Sequence, residues 1–119
     1  GTAEIYNIVE KINSVYESVA VEQRLKNDTR VILFVKLKEN IKLDGVLKEK
    51  IKRKIKQSLS PRHIPSKIIQ VFDIPKTKSG KVVELAIKKI INNERVENAS
   101  SLVNPESLEN YKNIVELKY

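Results

Sequence analysis

Apolar and polar positions along this chain recur with two periods. From Glu4 to Val15, the residues Ile5, Ile8, Val9, Ile12 and Val15 follow helical spacing. Thr2 stands where an N-cap belongs, and Glu4 falls in the first turn, where a carboxylate suits the helix dipole. The pattern predicts an amphipathic helix over 4–15. Val19 and Val21 then alternate with polar neighbours, Lys26-Asn27-Asp28-Thr29 reads as a turn, and Val31 to Val35 is continuously apolar. That combination predicts an antiparallel pair whose second strand is covered on both faces.

A polar link containing Glu39, Asn40 and Asp44 precedes a second helix over about 46–59. Leu47, Ile51 and Ile55 mark its buried stripe, and Lys48, Lys50, Lys52, Arg53, Lys54 and Lys56 crowd the rest. Ser60-Pro61-Arg62-His63-Ile64-Pro65 stops it, because each proline disfavours helix for the residue before it. A third strand is expected over 68–72, and the intervening helix allows it to run parallel to one of the first pair. After a loop, Val83, Ala86, Ile87, Ile90 and Ile91 form another helical stripe ending at Asn92-Asn93. Asn104-Pro105-Glu106 then starts a short last helix, with Leu108, Tyr111 and Val115 on one side. The order α-β-β-α-β-α-α implies an α+β fold: a small, roughly three-stranded sheet flanked by helices.

Composition narrows the partners. The 119 residues suit one domain with a modest core. A formal net charge of +8, from 23 basic against 15 acidic residues, makes the surface attractive to anions: nucleic acid, anionic lipid, nucleotides or an acidic partner. With no cysteine there are no disulfides, thiolate nucleophiles or cysteine metal sites, which fits a cytoplasmic setting. No apolar run approaches a membrane span of roughly 18 residues. The single histidine, His63, lacks nearby partners for a metal site and is expected in a loop against the sheet. Glu4 and Glu10 read as helix-dipole partners rather than a catalytic pair. The tyrosines are scattered, so no aromatic platform for bases is expected.

The richest stretch for chemistry is Ile74-Pro75-Lys76-Thr77-Lys78-Ser79-Gly80-Lys81. Pro75 fixes one backbone dihedral, and Gly80 can adopt the positive φ that turns the chain sharply beside Lys81. Lys81 follows the residue suited to the turn, which sets it apart from Lys76 and Lys78. A Walker-type phosphate loop would need glycine at position 75 and a hydroxyl at 82, where this chain has Pro75 and Val82.

Residues 75–81 resemble the C-terminal lysine motif of the adenylate-forming acyl-CoA synthetases. Gly1-Thr2-Ala3-Glu4-Ile5 is similar to the end of the hinge-proximal motif that opens their mobile C-terminal lid. Leu59 to Lys67, Val82-Val83-Glu84 and Asn104-Pro105-Glu106-Ser107-Leu108 look most like the acetoacetyl-CoA synthetase branch. Acetyl- and propionyl-CoA synthetases are similar too, but typically carry arginines where this chain has Glu84.

This resemblance implies that residues 1–119 form a single C-terminal lid domain. The chain reads as a fragment of something longer, inert alone, with the N-terminal domain that binds ATP and the acid as its absent partner. It implies a two-step ligase that uses ATP (with Mg2+) and coenzyme A as substrates. None of these is expected bound to the fragment, no metal site is expected, and nucleic acid is not an expected partner. Lys81 is the implied catalytic residue, supported by Pro75, Thr77, Ser79 and Gly80. Gly1, Thr2 and Lys56 are the implied coenzyme A contacts, although Lys56 reads equally well as one more solvated lysine. A lysine acetyltransferase and deacetylase acting on Lys81 are implied as well. The rival from composition is a basic, non-enzymatic module whose second helix tracks phosphates on nucleic acid or an anionic surface.

Overall fold

Strand β2 (Thr29–Leu37) forms the middle of a three-stranded sheet in the computed structural model, which describes residues 2–119. Its place follows from its composition, since a run of β-branched and aromatic residues can bury side chains on both faces. Leu33, Val35 and Leu37 enter one core, and Ile32 and Phe34 enter the other. Strand β1 (Val15–Arg24) pairs with β2 antiparallel, from Val15 opposite Leu37 to Arg24 opposite Thr29. Strand β3 (Lys67–Gln70) pairs with β2 in parallel, from Lys67 opposite Ile32 to Gln70 opposite Val35. The link between them carries helix α2 (Gly45–Ser58), the crossover a parallel pair requires.

Helix α1 (Thr2–Val9) and α2 cover one face of the sheet with Ile5, Val9, Leu47, Ile51 and Ile55. Asp44 caps α2, its Oδ1 accepting from the Leu47 N–H at 2.8 Å. Helix α3 (Glu84–Ile91) covers the other face with Ile87 and Ile91, joined by Tyr111 from a later 3-10 helix. Tyr111 meets Phe34 edge to face, with ring centroids 4.9 Å apart. The expected α+β architecture, with a third strand parallel to one of the first pair, is therefore present, and the strand it joins is β2.

Four local expectations need correction. The helix expected to reach Val15 stops at Val9. Ile12 N–H closes a turn on Val9 O at 3.0 Å, and Val15 opens β1. Thr2 is already helical rather than a cap. The third strand ends at Gln70. Val71 still donates to Val35 O at 2.9 Å, whereas Phe72 turns outward and is 85% exposed. The last segment is 3-10, at Pro105–Tyr111 and Val115–Lys118, which puts Leu108 and Tyr111 inward at spacing three and leaves Val115 outside, with Leu117 in the core instead.

His63 and Glu10 also differ. His63 ends a 3-10 turn and faces α1 rather than the sheet: its Nδ1 is 2.8 Å from Ser60 Oγ and its Nε2 is 3.5 Å from a Glu4 carboxylate oxygen. Glu10 lies beyond α1 and accepts from both the backbone N–H (3.1 Å) and the hydroxyl (3.0 Å) of Ser18. Among the described residues no helix is long and apolar enough to cross a membrane.

Candidate active site

The motif leaves the sheet after β3 and folds into a hairpin. Lys76 and Val82 form an antiparallel bridge, Thr77 N–H donates to Lys81 O at 2.9 Å, and Val83 N–H donates to Pro75 O at 3.0 Å. Pro75 is buried at its base, and Gly80 makes the turn with φ of +86°. An added Cβ at Gly80 would meet no atom within 4 Å, so the glycine is needed for its backbone angle rather than for space. Thr77 Oγ1 accepts from Lys81 N–H at 3.2 Å and lies 2.9 Å from Ser79 Oγ. Thr77 and Ser79 thus bond within the tip of the hairpin.

The three lysines of the loop have different surroundings. Lys76 is half-buried and its ammonium bonds the Glu17 carboxylate of β1, a hydrogen bond that raises the lysine pKa against the opposing effect of burial. Lys78 and Lys81 are exposed, and among the described residues neither takes part in an ion pair. The hairpin thus carries a structural ammonium at its base and holds Lys81 out on a stiff support.

That stiffness comes from a polar network the sequence did not announce. Asp73 Oδ1 accepts from Ile74 N–H (3.0 Å) and Lys36 Nζ (3.2 Å), and Oδ2 accepts from Asn104 Nδ2 (2.9 Å). Asn104 also donates to Ile74 O at 2.8 Å and accepts from Lys76 N–H at 2.9 Å. Val103 N–H donates to Lys76 O at 2.9 Å, and the Tyr111 hydroxyl donates to Asp73 O at 2.8 Å. Burial pushes the Asp73 pKa up, but the bonds from Asn104, Ile74 and Lys36 together outweigh it and hold the carboxyl below its ordinary value. Asn104, expected as a helix cap, makes no cap bond and serves the hairpin instead.

The sequence model of the AMP-binding enzyme C-terminal domain matches residues 4–81. The chain belongs to this family. The domain is 47% identical, over 99% of its length, to the acetoacetyl-coenzyme A synthetase of Rhizobium meliloti (strain 1021), and 44% identical, again over 99%, to that of Xenopus tropicalis. It spans 18% of each of those proteins. It also superposes on the acetoacetyl-CoA synthetase of Streptomyces lividans with a TM-score of 0.85 and 32% identity, covering 98% of this chain and 18% of that one. Membership disfavours the rival of a free-standing basic module.

Within this AMP-binding enzyme C-terminal domain, the residues implied for coenzyme A do not gather at the hairpin. Gly1 lies outside the described residues. Thr2 lines a shallow depression with Glu22 and Glu84, and another with Arg62 and His63. Lys56 is exposed in the last turn of α2, the end nearest the start of β3. The lysine hairpin emerges beyond the other end of β3, beside Glu17. Glu17 and Glu22 are five residues apart on β1, about 16 Å of extended strand. Thr2 shares its first depression with Glu84, the residue that opens α3 just after the hairpin. There the Tyr6 hydroxyl of α1 lies 2.6 Å from Glu84 Oε1 and 2.8 Å from Ala20 O.

Proposed function

We propose that residues 1–119 form the single C-terminal domain of an ATP-dependent acid–thiol ligase, which converts acetoacetate, ATP and coenzyme A to acetoacetyl-CoA, AMP and pyrophosphate. Its partner on this reading is the enzyme's own N-terminal domain, which binds ATP (with Mg2+) and the acid. Family membership and the 47% identity to an acetoacetyl-coenzyme A synthetase support it. The observation that carries the role of Lys81 is its exposed ammonium, without an ion-pair partner among the described residues, on a hairpin braced from both sides.

In the first step a carboxylate oxygen attacks the α-phosphorus of ATP, forming the acyl-adenylate as the bond to pyrophosphate breaks. Two anions are forced together, and a fixed ammonium that touches both lowers that barrier. In the second step the thiol of coenzyme A, losing its proton, attacks the acyl carbonyl and expels AMP. On this reading the domain rotates between steps, the Gly1–Thr2 end and Lys56 meeting coenzyme A in the second. All three substrates are water-soluble, and a cytoplasmic setting belongs to this reading. Exposure of Lys81 also suits it to a lysine acetyltransferase and deacetylase, because acetylation removes the charge the first step uses.

Lys81→Ala in the full-length enzyme tests the assignment. Acid-dependent pyrophosphate release is expected to fall about a hundredfold or more, while thioester formation from supplied acyl-adenylate persists. An equal fall in both half-reactions would remove Lys81 from the first step.

A further inference from the structure

Three large apolar side chains beside the hairpin face solvent: Phe72 is 85% exposed, Val103 62% and Tyr16 55%. They flank one polar network. Phe72 precedes Asp73 and Val103 precedes Asn104, the two residues joined at 2.9 Å. The Lys36 ammonium reaches Asp73 at 3.2 Å and also lies 5.1 Å from the centre of the Tyr16 ring. Phe72 is not on a loose tip. Val71 before it is 4% exposed and bonded to β2, and Ile74 shortly after it is fully buried. The fold therefore holds an aromatic ring outward on an anchored backbone, beside the network that braces the lysine hairpin.

We propose that Phe72, flanked by Tyr16 and Val103, is the anchor by which this domain seats on the larger domain of its own enzyme while Lys81 is in use. The proposal rests on the ligase reading above. Its occupant is argued from three observations. The relatives are several times longer, this chain matching 18% of each, and on the ligase reading the rest of such an enzyme is the body that docks here. Lys81 has no ion-pair partner among the described residues, so its anions arrive from outside, and the network that braces its hairpin is the one Phe72 and Val103 flank. Finally, the patch is small. Three side chains fall well short of the roughly 800 Å² per partner of a standard stable interface, which suits a contact made and released in every turnover.

The test uses the full-length enzyme and its two half-reactions. Phe72→Ser is expected to slow acid-dependent pyrophosphate release about tenfold to a hundredfold, the range for removing an aromatic anchor. Thioester formation from supplied acyl-adenylate and coenzyme A stays at its wild-type rate. The thermal unfolding midpoint stays unchanged, because the side chain is exposed within its own domain, and Phe72→Trp restores most of the first half-reaction. Lys81→Ala is measured in parallel. If it abolishes pyrophosphate release while Phe72→Ser leaves release at the wild-type rate, the anchor is overturned and the ligase reading survives. If Lys81→Ala releases pyrophosphate at the wild-type rate, the underlying reading falls first. Equal slowing of both half-reactions by Phe72→Ser, or conversion of a dimer to monomers in sedimentation, also overturns the anchor, the latter by making the patch a contact between copies.

Discussion

Asn104 shows how much one side chain can decide. Its amide joins Asp73, Ile74 and Lys76 across about thirty positions of sequence, and removing it leaves those partly buried groups unpaired. Asn104→Ala should cost about 1–3 kcal/mol near neutral pH, read by urea denaturation. Part of that cost is acid-sensitive. The Asp73 carboxyl titrates below its ordinary value in the folded chain, so the stability it brings is whole above the unfolded pKa of about 4 and is lost as pH falls through the lower folded value. The gap between wild type and Asn104→Ala should therefore narrow below pH 4, and a constant gap would remove Asp73 from the account. The Gly80 turn and the exposure of Lys81 were legible in the sequence, because a glycine turn followed by lysine is a local signal. The role of Asn104 was not: an asparagine before proline reads as a helix cap, and nothing local points to a partner thirty residues earlier.

At the scale of elements, the sheet was readable and the helix ends were not. The apolar run from Val31 to Val35 within β2 marks a strand covered on both faces, and the helix before the next strand allows a parallel pairing. Ile12 and Val15 misled because residues three apart fit a helix, a turn and a strand start alike. In the last segment Leu108 and Tyr111, three apart, fit a 3-10 helix as well as an α-helix. Ile51, fully buried against the sheet, carries the anchorage of α2, and Ile51→Ala should cost about 2–5 kcal/mol. Lys50→Ala, on the exposed face, should change stability by less than about 0.5 kcal/mol. Chemical denaturation of the two variants checks the contrast. Helix α1 is tied to α3 by Tyr6, whose single proton has two acceptors, Glu84 and Ala20 O. Burial first, and the Glu84 bond second, push its pKa up to about 12. The stability it contributes is whole below the unfolded pKa of about 10 and drains as pH rises from there through 12. Tyr6→Phe should flatten that part of the alkaline stability profile and cost about 1 kcal/mol at neutral pH, followed by denaturation midpoints across the range.

For the whole molecule, the Tyr6–Glu84 contact joins α1 to the start of α3, just after the lysine hairpin. If the ligase reading holds, adding this chain in trans to its separately produced N-terminal domain should restore acid-dependent pyrophosphate release that neither part shows alone. Release by the N-terminal domain alone, at the rate of the pair, would count against it.

The brace beneath the hairpin has a consequence for where the unit can be cut. The family match stops at Lys81, yet Leu102, Val103, Asn104 and Tyr111, which prop the loop, all come later. A protein trimmed to the matched boundary would keep Lys81 and lose the brace beneath it. Where the domain ends by likeness and where it ends mechanically are different points on this chain, separated by some thirty residues that a recombinant design would be tempted to discard.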